Sequence, residues 1–465
     1  LSHIVCGLHL LPDELATTAH PLTRRVFACV EQRRNVTLDV DRLPCPSHAA
    51  PEVSMDVFDA CYGYHEAEFV KAAGVYPYFH VLSGSDGPTV EFEGRTVIML
   101  GSNNYLGLTH HPAVKQAAHD AIEHYGTGCT GSRFLNGNLD LHERLEAELA
   151  AFVGKEDALV FTTGFLANAG AVGALGGQRG VQIFSERENH ASLIAGMQLA
   201  RQPVATFDGL DDLERQLSTA PAWPHALVVT DAVFSMTGRV IDLRRLTELR
   251  RRFGFRLYVD DAHGFGVLGR QGRGTADGQG IAHEVDLLFA TFSKSLASLG
   301  GFVAGERAVI DWLRHKARTL MFSAALPPSQ AAAALAALEV MRTDASLFER
   351  LWRNVEFFRR GINDLGYFTM DSEMPIQPLF VGSESLAFLL CRKALDLGVF
   401  TTPVVFPAVP LGQALIRTSL TPAHTEEQLS RALAVFGQLA EKFPIPQVDI
   451  EHMPRASEMD FSYLA

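Results

Sequence analysis

Three short stretches of the chain carry side chains that are expensive to bury and chemically useful when buried. Thr291-Phe-Ser-Lys-Ser295 sets an amine immediately after an apolar run and between hydroxyls. A lysine so placed must snorkel to water, pair with an acid or be used covalently. Val259-Asp-Asp-Ala-His-Gly264 ends a second apolar run on a carboxylate, Asp260, with an imidazole, His263, three residues further on. Taken alone, that pair reads equally well as a cap and a core histidine. Thr162-Thr-Gly-Phe165 puts hydroxyls and a glycine between an apolar run and a helical stretch, where a helix N-terminus can bind a phosphate.

These stretches depend on elements that the pattern predicts around them. Apolar runs at Ala158–Thr162, Val181–Phe184, Ala226–Thr230, Phe255–Asp260, Leu287–Phe292 and Phe302–Ala304 alternate with helical stretches. Continuous Val, Leu and Phe bounded by Gly or Asp suit a mostly parallel sheet covered by helices on both faces, an α/β architecture. Such a sheet gathers its ligands at the carboxyl ends of its strands, where all three stretches fall. Before the sheet, Val53–Gly74 reads as helix, and Val90–Leu100 as a hairpin turning near Gly94. Pro112 opens an amphipathic helix, and Leu141, Leu145, Leu149 and Phe152 mark another. A long Ala/Leu helix spans Ser329 to Met341, and strands near Gln377–Val381 and Ile416–Leu420 predict a smaller α+β C-terminal domain. The expected division is an extension of unassigned role over 1–70, an N-terminal segment 71–110, a large domain 111–335, a small domain 336–445 and a tail 446–465.

Composition narrows the partners. The 465 residues are 47% hydrophobic and 20% charged, with a formal net charge of -13, which argues against nucleic acid or an anionic membrane as partner. No run of about 18 apolar residues could cross a membrane, and the opening residues lack the basic segment of a secretory signal, so a cytoplasmic location is expected. Cys6, Cys29, Cys45, Cys61, Cys129 and Cys391 are scattered without a C-x-x-C pair. They read as reduced, mostly buried thiols, and no metal site is expected.

An amine able to form a Schiff base, a carboxylate able to keep a pyridine nitrogen protonated and a cradle for phosphate together describe a pyridoxal-phosphate site. The motifs extend this. From Lys71 to Lys442 the chain resembles the α-oxoamine synthases, a fold-type-I pyridoxal-phosphate family of the class II aminotransferase kind. The likeness lies in Gly101-Ser-Asn-Asn-Tyr-Leu-Gly-Leu108, Gly126-Thr-Gly-Cys-Thr-Gly-Ser-Arg133, Asn189-His-Ala-Ser-Leu193, Phe234-Ser-Met-Thr-Gly238, Asp260–His263, Thr291–Lys294, Phe322-Ser-Ala-Ala-Leu-Pro-Pro328 and Ile416-Arg-Thr418. It implies that Lys294 carries the cofactor and moves the α-proton, that Asp260 pairs with the ring nitrogen, and that His263 and Ser235 face the ring hydroxyl. By the same resemblance His190 stacks on the ring, and the Gly164 and Phe165 amides with the Thr291 and Ser293 hydroxyls hold the phosphate. Ser323 would reach the phosphate of a second subunit, implying a homodimer. Arg417 would bind the amino-acid carboxylate, a task suited to guanidinium, with Asn104 in the same pocket.

Gly126-Thr-Gly-Cys-Thr-Gly131 also matches the dinucleotide pattern G-x-G-x-x-G, but it follows a helix rather than a strand, so that reading fails. The activity implied is decarboxylative condensation of an amino acid with an acyl thioester. Within the family, Thr-Phe-Ser-Lys-Ser and Leu-Ile-Arg-Thr most resemble the bacterial serine palmitoyltransferases, implying L-serine and a long-chain acyl-CoA. Aminooxononanoate synthase or aminoketobutyrate ligase chemistry, with alanine or glycine, is the alternative. A catalytically inactive regulatory subunit and an ordinary aminotransferase are the rivals of different kind. Val75–Phe79 and Val404–Pro407 read either as an acyl channel or as core.

Overall fold

The computed structural model describes residues 56–446, apart from 221 and 444. Expectations for the extension before 56, the tail after 446, and Cys6, Cys29 and Cys45 lie outside the described residues. Chain order gives β1 (Leu82–Ser85), β2 (Thr89–Phe92), β3 (Arg95–Met99), β4 (Asp157–Phe161), β5 (Gln182–Glu186), β6 (Val204–Phe207) and β7 (Ala226–Asp231). There follow β8 (Arg256–Asp260), β9 (Leu287–Thr291), β10 (Gly301–Gly305), β11 (Ile376–Gly382), β12 (Val399–Phe400), β13 (Thr402–Val404) and β14 (Ala414–Ser419).

The central sheet has seven strands in the order β4-β10-β9-β8-β7-β5-β6. β10 runs antiparallel to both of its neighbours, and the pairs from β9 to β6 are parallel. Alternate residues of one strand feed opposite faces. On β8, Leu257 and Val259 join one core while Tyr258 joins the other. Both faces are therefore apolar, which is why these strands read as unbroken runs. The helix Gly164–Gly176 packs with Ala191–Ala200 on the Tyr258 face, and Asp140–Val153 and Pro328–Thr343 lie on the other.

Outside the sheet, the hairpin turns at Gly94, whose φ of 74° is the left-handed geometry that favours glycine. The expected single helix from Val53 is instead two short ones, Asp59–Tyr62 and Glu66–Ala72. Asp59–Tyr62 buries no residue, so nothing offsets the break at Gly63. Four strands escaped the pattern: β1 is exposed along its length, β6 is a half-exposed edge, and β12 and β13 have only two and three residues.

The C-terminal part holds the antiparallel sheet β11-β14-β13, and its β12 pairs parallel with β3 to complete a four-stranded sheet with the N-terminal hairpin. Ser419 N–H then donates to Leu100 O at 2.7 Å, fixing the loop after β3 against the end of β14. The helix Pro328–Thr343 runs across the expected 335/336 boundary. Among the described residues no helix is long and apolar enough to cross a membrane, and no cluster could hold a metal ion. Cys61 is exposed, Cys129 half-buried and Cys391 buried, all as free thiols.

The start of the helix Gly164–Gly176 sits directly on β10. A Cβ at Gly301 would lie 2.8 Å from Gly164 Cα and 3.0 Å from Ala290 O, both backbone atoms that cannot swing aside. Gly301→Ala is therefore expected to destabilise the fold by about 1–3 kcal/mol in chemical denaturation. Gly128→Ala, where a Cβ meets nothing within 4 Å, should stay within about 0.5 kcal/mol of the unaltered protein. Equal effects would contradict the packing described.

Candidate active site

Four neighbouring strands, β9, β8, β7 and β5, deliver polar groups to the carboxyl edge of the sheet. β9 ends at Thr291, and the turn beyond it carries Lys294. β8 ends on Asp260, β7 on Asp231 and β5 on Glu186, and Asp231 lies in register opposite Asp260. All three acids are buried.

Lys294 Nζ stands 2.8 Å from His263 Nε2, and His263 Nδ1 stands 2.7 Å from the Tyr105 hydroxyl. A lysine ammonium only donates, so Nε2 accepts and the neutral imidazole carries its proton on Nδ1, donating to Tyr105. Tyr105 also accepts from Arg417 at 3.0 Å, and Asn103 Oδ1 accepts from both Tyr105 and Arg417, at 3.2 and 2.9 Å. An unbroken line of hydrogen bonds thus joins the Lys294 amine to the Arg417 guanidinium. Burial pulls the Lys294 ammonium down to about 8, against the opposing pull of Asp260 and Asp231. Burial also holds His263 well below the usual histidine range, with Lys294 and Arg417 adding to the effect.

The loop that aims His263 is built by the second acid of its motif. Asp261 accepts from Thr275 N–H at 2.7 Å and Thr275 Oγ1 at 2.6 Å, folding the chain back beneath His263. Gly264 is required there, because a Cβ would meet Thr275 and Asp261 oxygens at 2.1 and 2.2 Å. Burial pushes the Asp261 carboxyl up to about 7. Asp260 accepts from Ala262 N–H at 2.9 Å and from Asn168 Nδ2 at 2.7 Å. Burial raises its carboxyl, while Lys294 and these donors pull it back. Asp231 is pushed well above the usual carboxylate range by burial and then by Asp260.

His190 caps the helix Ala191–Ala200, and its Nδ1 accepts from Ser192 N–H at 3.2 Å. The ring is exposed by area, yet burial of its nitrogens lowers its pKa, with Asp260 opposing and Lys294 reinforcing. A helix N–H aimed at Nδ1 likewise disfavours the imidazolium.

Arg417 lies in the middle of β14 and is buried. Among the described residues its four hydrogen-bond partners are neutral: Ser235 O, Ser419 Oγ, Asn103 Oδ1 and Tyr105 Oη. Its charge is left for an incoming anion, because a buried guanidinium without an acid is otherwise costly.

A phosphate cradle lies beside Lys294. Thr163 caps the helix Gly164–Gly176 through Leu166 N–H at 3.1 Å, and the helix offers the Gly164 and Phe165 N–H groups no acceptor. A Cβ at Gly164 would lie 2.7 Å from Thr291 Oγ1, so the helix start and that hydroxyl touch. Thr291 Oγ1 in turn lies 2.9 Å from Ser293 Oγ. Two free amides and two hydroxyls thus converge next to an amine, with a buried carboxylate on the neighbouring strand, and these residues fit pyridoxal phosphate.

Not every expected residue joins the cluster. Ser235 contributes its carbonyl to Arg417, and no hydrogen bond places its hydroxyl. Asn104 turns away and donates to Thr109 Oγ1 at 2.8 Å, whereas its neighbour Asn103 reaches Arg417. Ser323 lies on the loop whose Ala324 O accepts from Thr162 Oγ1 at 2.5 Å. Val75, Val404 and Val405 are buried in the core, while Phe79 is exposed. Tyr105, Asn168, Tyr258, Ser192 and Asp231 were not singled out from sequence. Asp231 had a usable signal, an acid directly after the apolar run Ala226–Thr230.

The sequence pattern of the family described as Aminotransferase class I and II matches residues 95–436. The serine palmitoyltransferase of Bacteriovorax stolpii is 45% identical over 383 residues, covering 82% of this chain and 91% of that one. The 8-amino-7-oxononanoate synthase of Thermoanaerobacter pseudethanolicus is 40% identical over 381 residues, covering 81% and 96%. A solved structure of SPT with a PLP internal aldimine superposes with a TM-score of 0.80 at 31% identity, covering 83% of this chain and 99% of that one.

The lowered pKa of Lys294 has a kinetic consequence. The neutral amine is the nucleophile, and it appears as pH rises through about 8 instead of 10.5. The rate at which cofactor-free protein develops a visible band on mixing with pyridoxal phosphate should rise between about pH 7 and 9 and then level. A rate still climbing steeply above about pH 10 would show an ordinary, solvated lysine.

Proposed function

The chain belongs to the class I and II aminotransferase family, in its α-oxoamine synthase branch, and from that premise we propose a pyridoxal-phosphate acyltransferase acting on L-serine and a long-chain acyl thioester. The architecture is the fold-type-I architecture of pyridoxal-phosphate transferases. The observation that carries the reading is the line from Lys294 through His263 and Tyr105 to Arg417. It separates an amine from an unpaired guanidinium, as the amino and carboxylate ends of one amino acid require.

Pyridoxal phosphate, when bound, supplies a conjugated electron sink for negative charge developing at the α-carbon. The chain's own residues do the rest. Lys294 would hold the cofactor and, as a free amine, would take the α-proton; a pKa near 8 suits it to accept and return protons near neutrality. Asp260 would face the ring nitrogen, where an ionised carboxylate would keep that nitrogen protonated. His190 would cover the ring face and keep water from the α-carbon. Gly164, Phe165, Thr291 and Ser293 hold the phosphate, and His263 and Ser235 line the ring-hydroxyl side. Arg417, with Asn103 beside it, holds the carboxylate. The α-carbon would then displace the thiol from the acyl thioester, the carboxylate would leave as carbon dioxide, and the α-carbon would take a proton back from Lys294, giving a 3-keto amine.

Alanine or glycine in place of serine is the second reading, favoured by the similarity to 8-amino-7-oxononanoate synthases. Retention of Lys294 and its acids argues against an inactive subunit. A homodimer is part of the proposal. Phe134, Leu135, Phe165 and Phe322 are exposed by 49%, 80%, 48% and 75% on segments joined near Ser323. Ala325 N–H bonds Gly131 O at 2.9 Å and holds two of those segments together. A second copy covering this face would bring Ser323 to its partner's phosphate cradle. A fully active monomer in light scattering would contradict the dimer.

Products from serine, alanine and glycine with a series of acyl thioesters, identified by mass spectrometry, test the substrates. Serine should give the highest kcat/KM. Each methylene that enters an apolar site should raise it by up to roughly fourfold, from about 0.8 kcal/mol per buried methylene. A flat length profile, or preference for glycine with a short acyl group, would refute the long-chain serine reading.

A further inference from the structure

Asn168 is the only polar side chain of the helix Gly164–Gly176, set among Ala167, Ala169, Gly170 and Ala171, and it is 1% exposed. Asparagine is a poor helix former in mid-helix, and an alanine there would fill the same apolar surroundings without an amide to satisfy. Every strong hydrogen-bonding group of the amide is nonetheless used. Its two N–H groups donate to Asp260 Oδ2 at 2.7 Å and to Ser192 Oγ at 2.9 Å, and its carbonyl accepts from the Tyr258 hydroxyl at 2.8 Å. Turning the amide over would set its oxygen against the Asp260 carboxylate, so one orientation is fixed.

The proton count continues past Asn168. Ser192 Oγ accepts from the amide, and because the Ser192 backbone N–H donates to His190 Nδ1, that nitrogen carries no proton and the Ser192 hydroxyl, 2.7 Å away, donates to it. His190 Nδ1 thus receives both the hydroxyl and the backbone N–H of Ser192, and the neutral ring carries its proton on Nε2. One amide thereby ties the acid at the end of β8 to the imidazole at the start of the next helix. We propose that Asn168 is a positioning residue for the condensation reaction: it aims the Asp260 carboxylate at the cofactor's ring nitrogen and, through Ser192, fixes the orientation of the His190 ring. The proposal rests on the reading that Asp260 faces that nitrogen.

Asp260 needs such a partner because its surroundings pull in several directions. Asp231 opposes its charge from β7, as does Asp261 next in sequence, while Lys294 and His190 favour it. His263 and Arg417 lie beyond Lys294. A carboxylate in that setting relaxes either by taking up a proton or by rotating towards Lys294. Ala262 N–H and Asn168 Nδ2 each hold one oxygen and oppose both changes. Hydrogen bonds to the charged form favour it, so losing the amide raises the pH at which Asp260 becomes protonated. Protonated Asp260 no longer pairs with the pyridinium, and the cofactor is released from the acid side.

The experiment follows cofactor retention, read from the visible band after gel filtration, across pH for the loaded protein and its variants. In Asn168→Ala the acid-side midpoint should move up by about one pH unit, the size expected for a hydrogen bond to a charged group. An unmoved midpoint in folded Asn168→Ala overturns the proposal. If that variant does not fold, Tyr258→Phe, which frees the amide to swing without removing it, should move the midpoint in the same direction by less, and no movement overturns the proposal. Asp260→Asn separates the two levels. A normal acid-side midpoint in that variant removes Asp260 itself, whereas a lost transition there with an unmoved midpoint in Asn168→Ala removes only the role of Asn168.

Discussion

A half-buried lysine and three buried acids line the carboxyl edge of the seven-stranded sheet, where water solvates them poorly. Leaving one such charge uncompensated costs about 3–5 kcal/mol, a large share of a domain's stability. The surroundings are arranged to meet that demand with fixed dipoles. His263 accepts from Lys294, and Asn168 and Ala262 donate to Asp260. Burial lowers the amine and the fixed dipoles restrain the Asp260 carboxyl, which is what a proton-transferring site near neutral pH requires.

The remaining cation reaches the cluster from the other end of the chain. Arg417 sits on β14 of the C-terminal sheet, while Asn103 and Tyr105 follow β3 of the N-terminal one. β12 pairing with β3, and Ser419 bonded to Leu100, bring those two parts together. Tyr105 is fully buried and bonds Arg417, Asn103 and His263 at once, so a single phenol sets the separation between guanidinium and amine. The loop Gly126–Arg133 is held by a buried ion pair of 2.8 Å between Arg133 and Glu146.

The sequence disclosed what is local. Runs apolar on both faces marked six strands of the central sheet, and strand ends marked Asp260, His263 and Lys294. β6 was missed because an exposed edge carries no continuous apolar run. The helix from Val53 was misread because periodicity does not report whether a face finds a core. Asn168 and Tyr258 were invisible for a related reason. They are 90 residues apart and meet only when a helix packs on the sheet, so nothing in either neighbourhood announces the bond. Asn103 and Asn104 are adjacent amides in one loop, and only the fold of that loop decides which one turns to Arg417. The proposed role of Ser323 needs a second subunit, which a single chain does not contain.

The central claim is that the amine of Lys294, and no other, holds the cofactor. Loading the protein with pyridoxal phosphate, reducing it with borohydride and mapping the peptides by mass spectrometry tests this directly. The account predicts one pyridoxyl group per chain, carried on the peptide containing Ser293-Lys294-Ser295 and absent from Lys294→Ala. A pyridoxyl group on any other lysine, or the same labelling in Lys294→Ala, would contradict it.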